Sequence, residues 1–374
     1  MERNDMTRFE TRSRVAAALG VALLPAAAMI LGAPACAVAG PTAVAGYTLT
    51  TFASAPAGSS APDSIAVVGN DVFVGYGNNG NPDGSGGAVS TIAEYSSSGA
   101  LLNTTSVVGH NDGLRYDPAD GKLWALQNED ANPNLVLITP TTLAKSAPFS
   151  FSATPHGGGY DDVAFGFGKA FISASNPANN PNTAPAIISA TLNGSTVAVT
   201  GVLNANATAT VINTGATTTL NLQDPDSMNF TPDGRLAPDS QADSQLVFVS
   251  NPAQPSQSVS VLDLTNQIDD TVFAGGGQRT LLFAAKGDDA VYQLTGVFGP
   301  GTAYSAAASN SAVPNTDFIG ALDLAGGELS PIVSGLSGPG GEAFLPAPEP
   351  ASAALRGSAL LLLAGVARPI RRRR

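Results

Sequence analysis

Short apolar runs separated by turn residues make up most of this chain, and an acid stands ahead of many of them. The stretch "PDSIAVVGNDVFVGYG" from Pro62 shows the pattern: an acid, a small polar residue, an apolar run, a Gly-Asn-Asp turn and a second apolar run. The phrase returns as "NDGLRYDPADGKLWALQNED" from Asn111 and "YDDVAFGFGKAFISAS" from Tyr160. Looser copies are "PDSMNFTPDG" from Pro225, "DDTVFAGGGQRTLLFAAKGDD" from Asp269 and "GGEAFLP" from Gly340. Apolar runs this short, bounded by Gly, Asn, Asp and Pro, predict strands rather than helices.

Taking Asp63, Asp112, Asp162, Asp226, Asp270 and Glu342 as anchors, the spacings are 49, 50, 64, 44 and 72 residues. Strand-and-turn units of that period predict an all-β, single β-propeller of about six four-stranded blades, with five or seven as alternatives. A two-sheet sandwich with an additional β region is the rival. In the second unit, Gly113–Tyr116 reads as the inner strand, followed by Lys122–Leu126, Leu135–Thr139 and Ala147–Phe151. In the final unit Ile319–Leu324 and Glu328–Val333 read as outer strands. "EAF" starts an inner strand that has no chain left to continue it, so Tyr47–Phe52 is expected to complete that blade. The Thr/Ala/Asn-rich segment Asn204–Asn221 explains the spacing of 64 and is expected as a hairpin or loop on the third blade.

Composition supports a turn-rich globular body: 41 Gly and 27 Pro among 374 residues, with 43% hydrophobic residues, too many for a disordered chain. Charge separates body from ends. Between Gly40 and Pro350 there are seven Lys and Arg against 26 Asp and Glu, a net charge of −19. Such a body repels phosphate backbones and attracts divalent cations, which excludes nucleic acid as a partner. Cys36 is the single cysteine, so no intrachain disulfide or cysteine metal cluster is available.

The ends read as addresses, which divides the chain into 1–39, 40–346 and 347–374. Arg3, Arg8, Arg12 and Arg14 precede the apolar run Val15–Leu31 and the small residues "APACAVAG", the order of a secretory signal peptide with cleavage after Ala37 or Ala39. A lipoprotein signal acylated on Cys36, or a retained anchor, are the alternatives. At the other end Pro348-Glu349-Pro350 is followed by the apolar Leu360–Val366 and by Arg371–Arg374. This order resembles the PEP-CTERM sorting signal of exported proteins in Gram-negative bacteria. The resemblance implies a sorting helix, transient membrane association, processing by an exosortase-type enzyme, and delivery to the cell surface or an exopolysaccharide matrix. Arginines held on the cytoplasmic side would fit that scheme. Arg356 and Arg368-Pro369 depart from the pattern, and Gly357–Ala367 is too short to cross a bilayer core of roughly 30 Å.

The blade rhythm, seen in "GKLW" and "GALDLAGGELSPIVSGLSGPGGEAF", resembles secreted propellers with NHL-type and gluconolactonase-type repeats. That similarity carries no activity with it, because propellers host unrelated functions. Candidate chemistry is sparse. His110 and His156, each just ahead of an anchor, could join Asp112, Asp161 and Asp162 in a divalent-metal or acid–base site. Such a site would resemble the top-face sites of metal-dependent lactonases and virginiamycin B lyase. The competing reading makes the histidines polar loop residues and the acids turn punctuation. Asn79, Asn81 and Asp83 fall at calcium-loop offsets, but Ser90 stands where the bidentate acid belongs, so a plain turn is expected there. "GYGNNG" from Gly75 lacks the helix that a dinucleotide fingerprint needs. Trp124 and Phe165 are expected to pack blades. The sequence therefore points first to an exported, non-enzymatic structural or interaction module that requires no cofactor, a divalent cation such as calcium being compatible with its charge. Exopolysaccharide and surface proteins are the expected partners. A metal-dependent propeller hydrolase or lyase is the alternative.

Overall fold

The computed structural model describes residues 40–277, 279–308 and 317–346. The expected signal segment over 1–39 and the sorting segment over 347–374, with Pro348, Glu349 and Pro350, lie outside them. Within the described residues the chain is a six-bladed β-propeller. Its inner strands are Pro62–Val68, Asn111–Asp117, Val163–Gly166, Pro225–Phe230, Ile268–Phe273 and Pro339–Phe344. Each touches the next around the ring, and the sixth returns to the first.

Packing explains why the strands carry apolar residues on both faces. Six hydrophobic clusters exist, one for each interface between neighbouring blades. Ile65, Val72 and Tyr95 of blade 1 meet Leu282 and Val291 of blade 6. Ala66, Phe73 and Ile92 of the same blade meet Leu114, Leu123 and Val136 of blade 2. The alternation of Ile65 and Ala66 thus sends one side chain to each neighbour, as the period of two along a strand requires. Trp124 and Phe165 pack edge to face, centroids 5.3 Å apart, between blades 2 and 3. Over the inner strands both faces of each blade meet a neighbour, which is the energetic reason the ring closes.

Blade 2 follows the expected strands closely. Its outermost strand comes in two pieces, Ala144–Lys145 and Phe149–Phe151, both paired with Asn134–Thr139. Two expectations need correction. The hairpin Thr208–Val211/Thr217–Thr219 does lie in the Asn204–Asn221 insertion, but it extends blade 4, pairing in parallel with Ser258–Asp263. Blade 3's own outer strand, Thr196–Asn204, instead pairs in parallel with Phe149–Phe151 of blade 2.

The second correction concerns the unit from Asp269, which is split between two blades. Ile268–Phe273 is the inner strand of blade 5, whereas Thr280–Ala285 and Ala290–Thr295 belong to blade 6. The chain then returns to blade 5 for Ala303–Ala307, Phe318–Leu322 and Leu329–Ser334, and ends as the inner strand of blade 6. Thr48–Ser54 supplies that blade's outer strand, as expected, and Thr42–Ala43 edges blade 5. Blade 6 is therefore assembled from the beginning, middle and end of the described chain. Among the described residues no helix is long and apolar enough to cross a membrane.

Candidate metal centre in the central channel

Five of the six inner strands lose register with their partners, the exception being Val163–Gly166 of blade 3. The ladder skips between Pro62 and Ile65, Asn111 and Leu114, Pro225 and Met228, and Ile268 and Asp270. In blade 6 it skips between the pairs made by Glu342 and Pro339. A bulge frees a residue from pairing and re-aims its side chain. The residue carried there is Asp63, Asp112, Asp226 and Asp269 in blades 1, 2, 4 and 5, and Gly340 in blade 6, while in blade 3 the matching Asp161 lies just ahead of the strand. The ring position is thus Asp161 rather than Asp162, Asp269 rather than Asp270, and Gly340 rather than Glu342. Spacing along the sequence could not choose within "DD" or "GGE".

A lysine takes the sixth place. A Cβ on Gly340 would lie 2.6 Å from Asp269 Oδ2 and 3.1 Å from Asp63 Oδ1, so no side chain fits there. Lys286, from the turn after Thr280–Ala285, fills the gap. Its Nζ is 2.9 Å from Asp63 Oδ2 and 3.7 Å from Asp269 Oδ1. Burial works against its charge, but Asp269 and Asp63 outweigh that and hold its pKa well above the ordinary value.

Around the rest of the ring the acids face one another directly. Ligand atoms of Asp112, Asp161 and Asp226 lie within 4.8 Å of each other, and those of Asp63, His110 and Asp112 form a second such group. Oxygens at 2.3–2.6 Å from one calcium-sized ion span that kind of distance. Asp112 Oδ1 is buried and accepts no hydrogen bond. His110 sits in the loop entering blade 2, with Nε2 4.0 Å from Asp112 Oδ1 and 3.9 Å from Glu129 Oε1. Its Nδ1 lies 3.2 Å from the Gly80 carbonyl. When Nδ1 donates to that carbonyl, the Nε2 lone pair faces two carboxylates, an arrangement a cation relieves. Glycines make room for these groups: a Cβ at Gly77 would lie 2.7 Å from His110 Cε1, and one at Gly75 2.2 Å from Asn111 Oδ1. That is what "GYGNNG" does.

So many carboxylates cannot all ionise in a dry channel. Burial and then Glu129 push Asp112 up to about 6. Burial raises Asp161 and Asp226 well above the carboxylate range, with Asp112 and Asp269 as the leading like charges on them. Asp269 is raised to about 6 by burial, against the pull of Lys286. A divalent ion reverses this logic, because it favours every ionised ligand at once. The upper chamber has about 20 Å³ open to a water-sized sphere, room for one ion rather than a substrate.

Below the ring, Arg115 closes the channel. From blade 2 it donates Nε and Nη2 to both oxygens of Asp162 on blade 3, the shorter contact being 2.7 Å, and Nη2 lies 3.7 Å from Asp270 Oδ1 on blade 5. Asp162 also accepts from Met228 N–H and Asp270 from Glu342 N–H, so this layer ties five blades together.

Of the residues singled out in the sequence, His110, Asp112 and Asp161 meet at the ring, while Asp162 belongs to the Arg115 layer. His156 is buried away from both groups: its Nε2 pairs with the Gly159 carbonyl at 2.6 Å and its ring packs on Tyr160. Burial lowers its pKa. Asn79, Asn81 and Asp83 spend their side chains on local turn bonds to Ser60 and Ser85. Glu129, Lys286 and Arg115 escaped the sequence reading, because each reaches the channel from a different blade or layer than its sequence neighbours suggest.

No protein-family model matches the chain, and no curated protein matches it. Similar solved structures include the periplasmic gluconolactonase of Pseudomonas aeruginosa, at 13% identity and TM-score 0.40, covering 77% of this chain and 89% of that one. Virginiamycin B lyase from Staphylococcus aureus is 11% identical with TM-score 0.38, covering 67% and 100%. A protein of unknown function from Bacteroides caccae is 9% identical with TM-score 0.46, covering 76% and 86%. No residue role is carried over from any of them.

Proposed function

We propose that this propeller binds one divalent cation of the calcium class at the acidic mouth of its channel, and serves outside the cell as a structural or interaction module. The observation that carries this reading is the Asp112–Asp161–Asp226 group, whose ligand atoms lie within 4.8 Å of one another around a buried, unpartnered Asp112 oxygen. An all-oxygen donor set of carboxylates suits a hard cation such as calcium. The ion would neutralise acids from blades 2, 3 and 4, so it would act as a staple across the ring. Isothermal titration of the chelator-treated protein with calcium tests this. One site lost on Asp161→Asn supports it, and no heat beyond dilution refutes it.

The second reading, a metal-dependent hydrolase or lyase, draws on His110 Nε2 standing between Asp112 and Glu129, where an imidazole beside a cation could move a proton. His110→Ala separates the two readings: a calcium-binding module keeps its fold and partner binding, whereas a hydrolase or lyase loses turnover.

Export and sorting through the Pro348-Glu349-Pro350 segment belong to the same proposal. Mass spectrometry of the extracellular protein tests them, since an intact Arg371–Arg374 end on that material would defeat the sorting scheme.

A further inference from the structure

Beneath the Arg115 layer the channel opens into a second chamber of about 500 Å³, lined by the later residues of all six inner strands. Its volume lies in the range of small-molecule sites. Its character is opposite to that of the acidic mouth. Val67 and Val272 form apolar walls, joined by the half-buried rings of Phe165, Phe230, Phe273 and Phe344.

Three polar side chains with unspent capacity line this chamber: Arg115, Asn229 and Glu342, whose two carboxyl oxygens are buried with no hydrogen-bond partner among the described residues. Arg115 lines both chambers. Its Nε and Nη2 are committed to Asp162, and Nη1 donates to no group among the described residues. Asn229 donates Nδ2 to the Thr271 carbonyl at 2.7 Å and to Asp270 Oδ1 at 3.3 Å, which leaves its Oδ1 without a protein donor. Donor and acceptor groups of these three side chains thus line a space whose remaining residues are mostly apolar.

We propose that this lower chamber binds a small uncharged molecule with an apolar ring or chain and a hydroxyl or amide group at one end. A hydroxyl or amide both accepts and donates, which matches Arg115 Nη1 and Asn229 Oδ1 together. An anion gains little, because Asp162 already neutralises the guanidinium through two bonds. A cation gains little for the same reason, since the Asp162 carboxylate is already spent on Arg115. The apolar body buries against Val67, Val272 and the phenylalanines, which supplies affinity without charge.

The test uses 4-propylphenol as probe, with propylbenzene and 4-propylbenzoate for comparison, titrated into the isotope-labelled protein and followed by NMR. Saturable binding of 4-propylphenol at least tenfold tighter than either comparison probe is expected, with nuclear Overhauser contacts to the methyls of Val67 and Val272 and to the rings of Phe230 and Phe344. Val67→Trp fills the chamber and should weaken binding at least tenfold while calcium binding at the upper ring is unchanged. If that variant does not fold, the contacts in the unaltered protein decide. Equal affinity for the three probes, contacts to methyls elsewhere, or no saturable binding would overturn the proposal.

Discussion

Arg115 on blade 2 grips Asp162 on blade 3 through Nε and Nη2, and the same Nη2 reaches to 3.7 Å from Asp270 on blade 5. The pair divides the channel into an acidic upper chamber and an apolar lower one. Removing one partner of a buried pair leaves the other charge stranded. Arg115→Met should therefore cost about 3–5 kcal/mol in denaturant unfolding. Adding Asp162→Asn should return part of that loss, since the second change removes the stranded charge.

Calcium should bind through the upper arc and nowhere near the "NNGNPDGSGG" turn. Asp161→Asn or Asp226→Asn should weaken calcium at least tenfold in calorimetry. Asp83→Asn should leave it unchanged, since Asp83 serves only to accept from Ser85 N–H.

Acid should stabilise the metal-free protein. Asp112 and Asp269 have folded pKa values raised to about 6 from an ordinary 3.8, so between those values the folded state holds protons that the unfolded chain has lost. Their contribution is fully present below about pH 4 and is lost as pH rises through 6, on the order of 2–3 kcal/mol for Asp112 alone. The melting temperature without metal should fall from pH 4.5 to 7, and calcium should restore it at pH 7. A flat profile in chelator would contradict this account.

Glycine at the channel wall is required by the backbone of the neighbouring strand. A Cβ on Gly113 would lie 2.1 Å from the Asp161 carbonyl oxygen, and one on Gly341 2.1 Å from that of Asp63. Gly113→Ala and Gly341→Ala should each destabilise by roughly 1–3 kcal/mol or more in chemical denaturation, because inner strands must part to admit the methyl.

The repeated phrase gave the propeller away because it encodes two things at once. Its apolar residues alternate toward two neighbours, as Ile65 and Ala66 do, and its acid stands at the channel end of the inner strand in blades 1 to 5. What the phrase could not convey was assembly. Nothing local in "TLLFAA" says that it pairs with Pro339–Phe344 instead of Ile268–Phe273, because both are apolar strands and only the closed ring chooses between them. The metal centre was half legible for a related reason. Asp112 and His110 stand together in "HND", whereas Lys286 is drawn in by the missing side chain of Gly340, fifty-four residues further along.

The final strand of the described chain is also the innermost one. Pro339–Phe344 pairs with Thr280–Ala285 on one side and lines the channel on the other. A load applied beyond Phe344 is therefore carried by the channel wall before it reaches any outer strand. Tension there pulls along the strand that brings Gly340 between Asp63 and Asp269. Strain at this end and the geometry of the acidic ring are thus coupled in series.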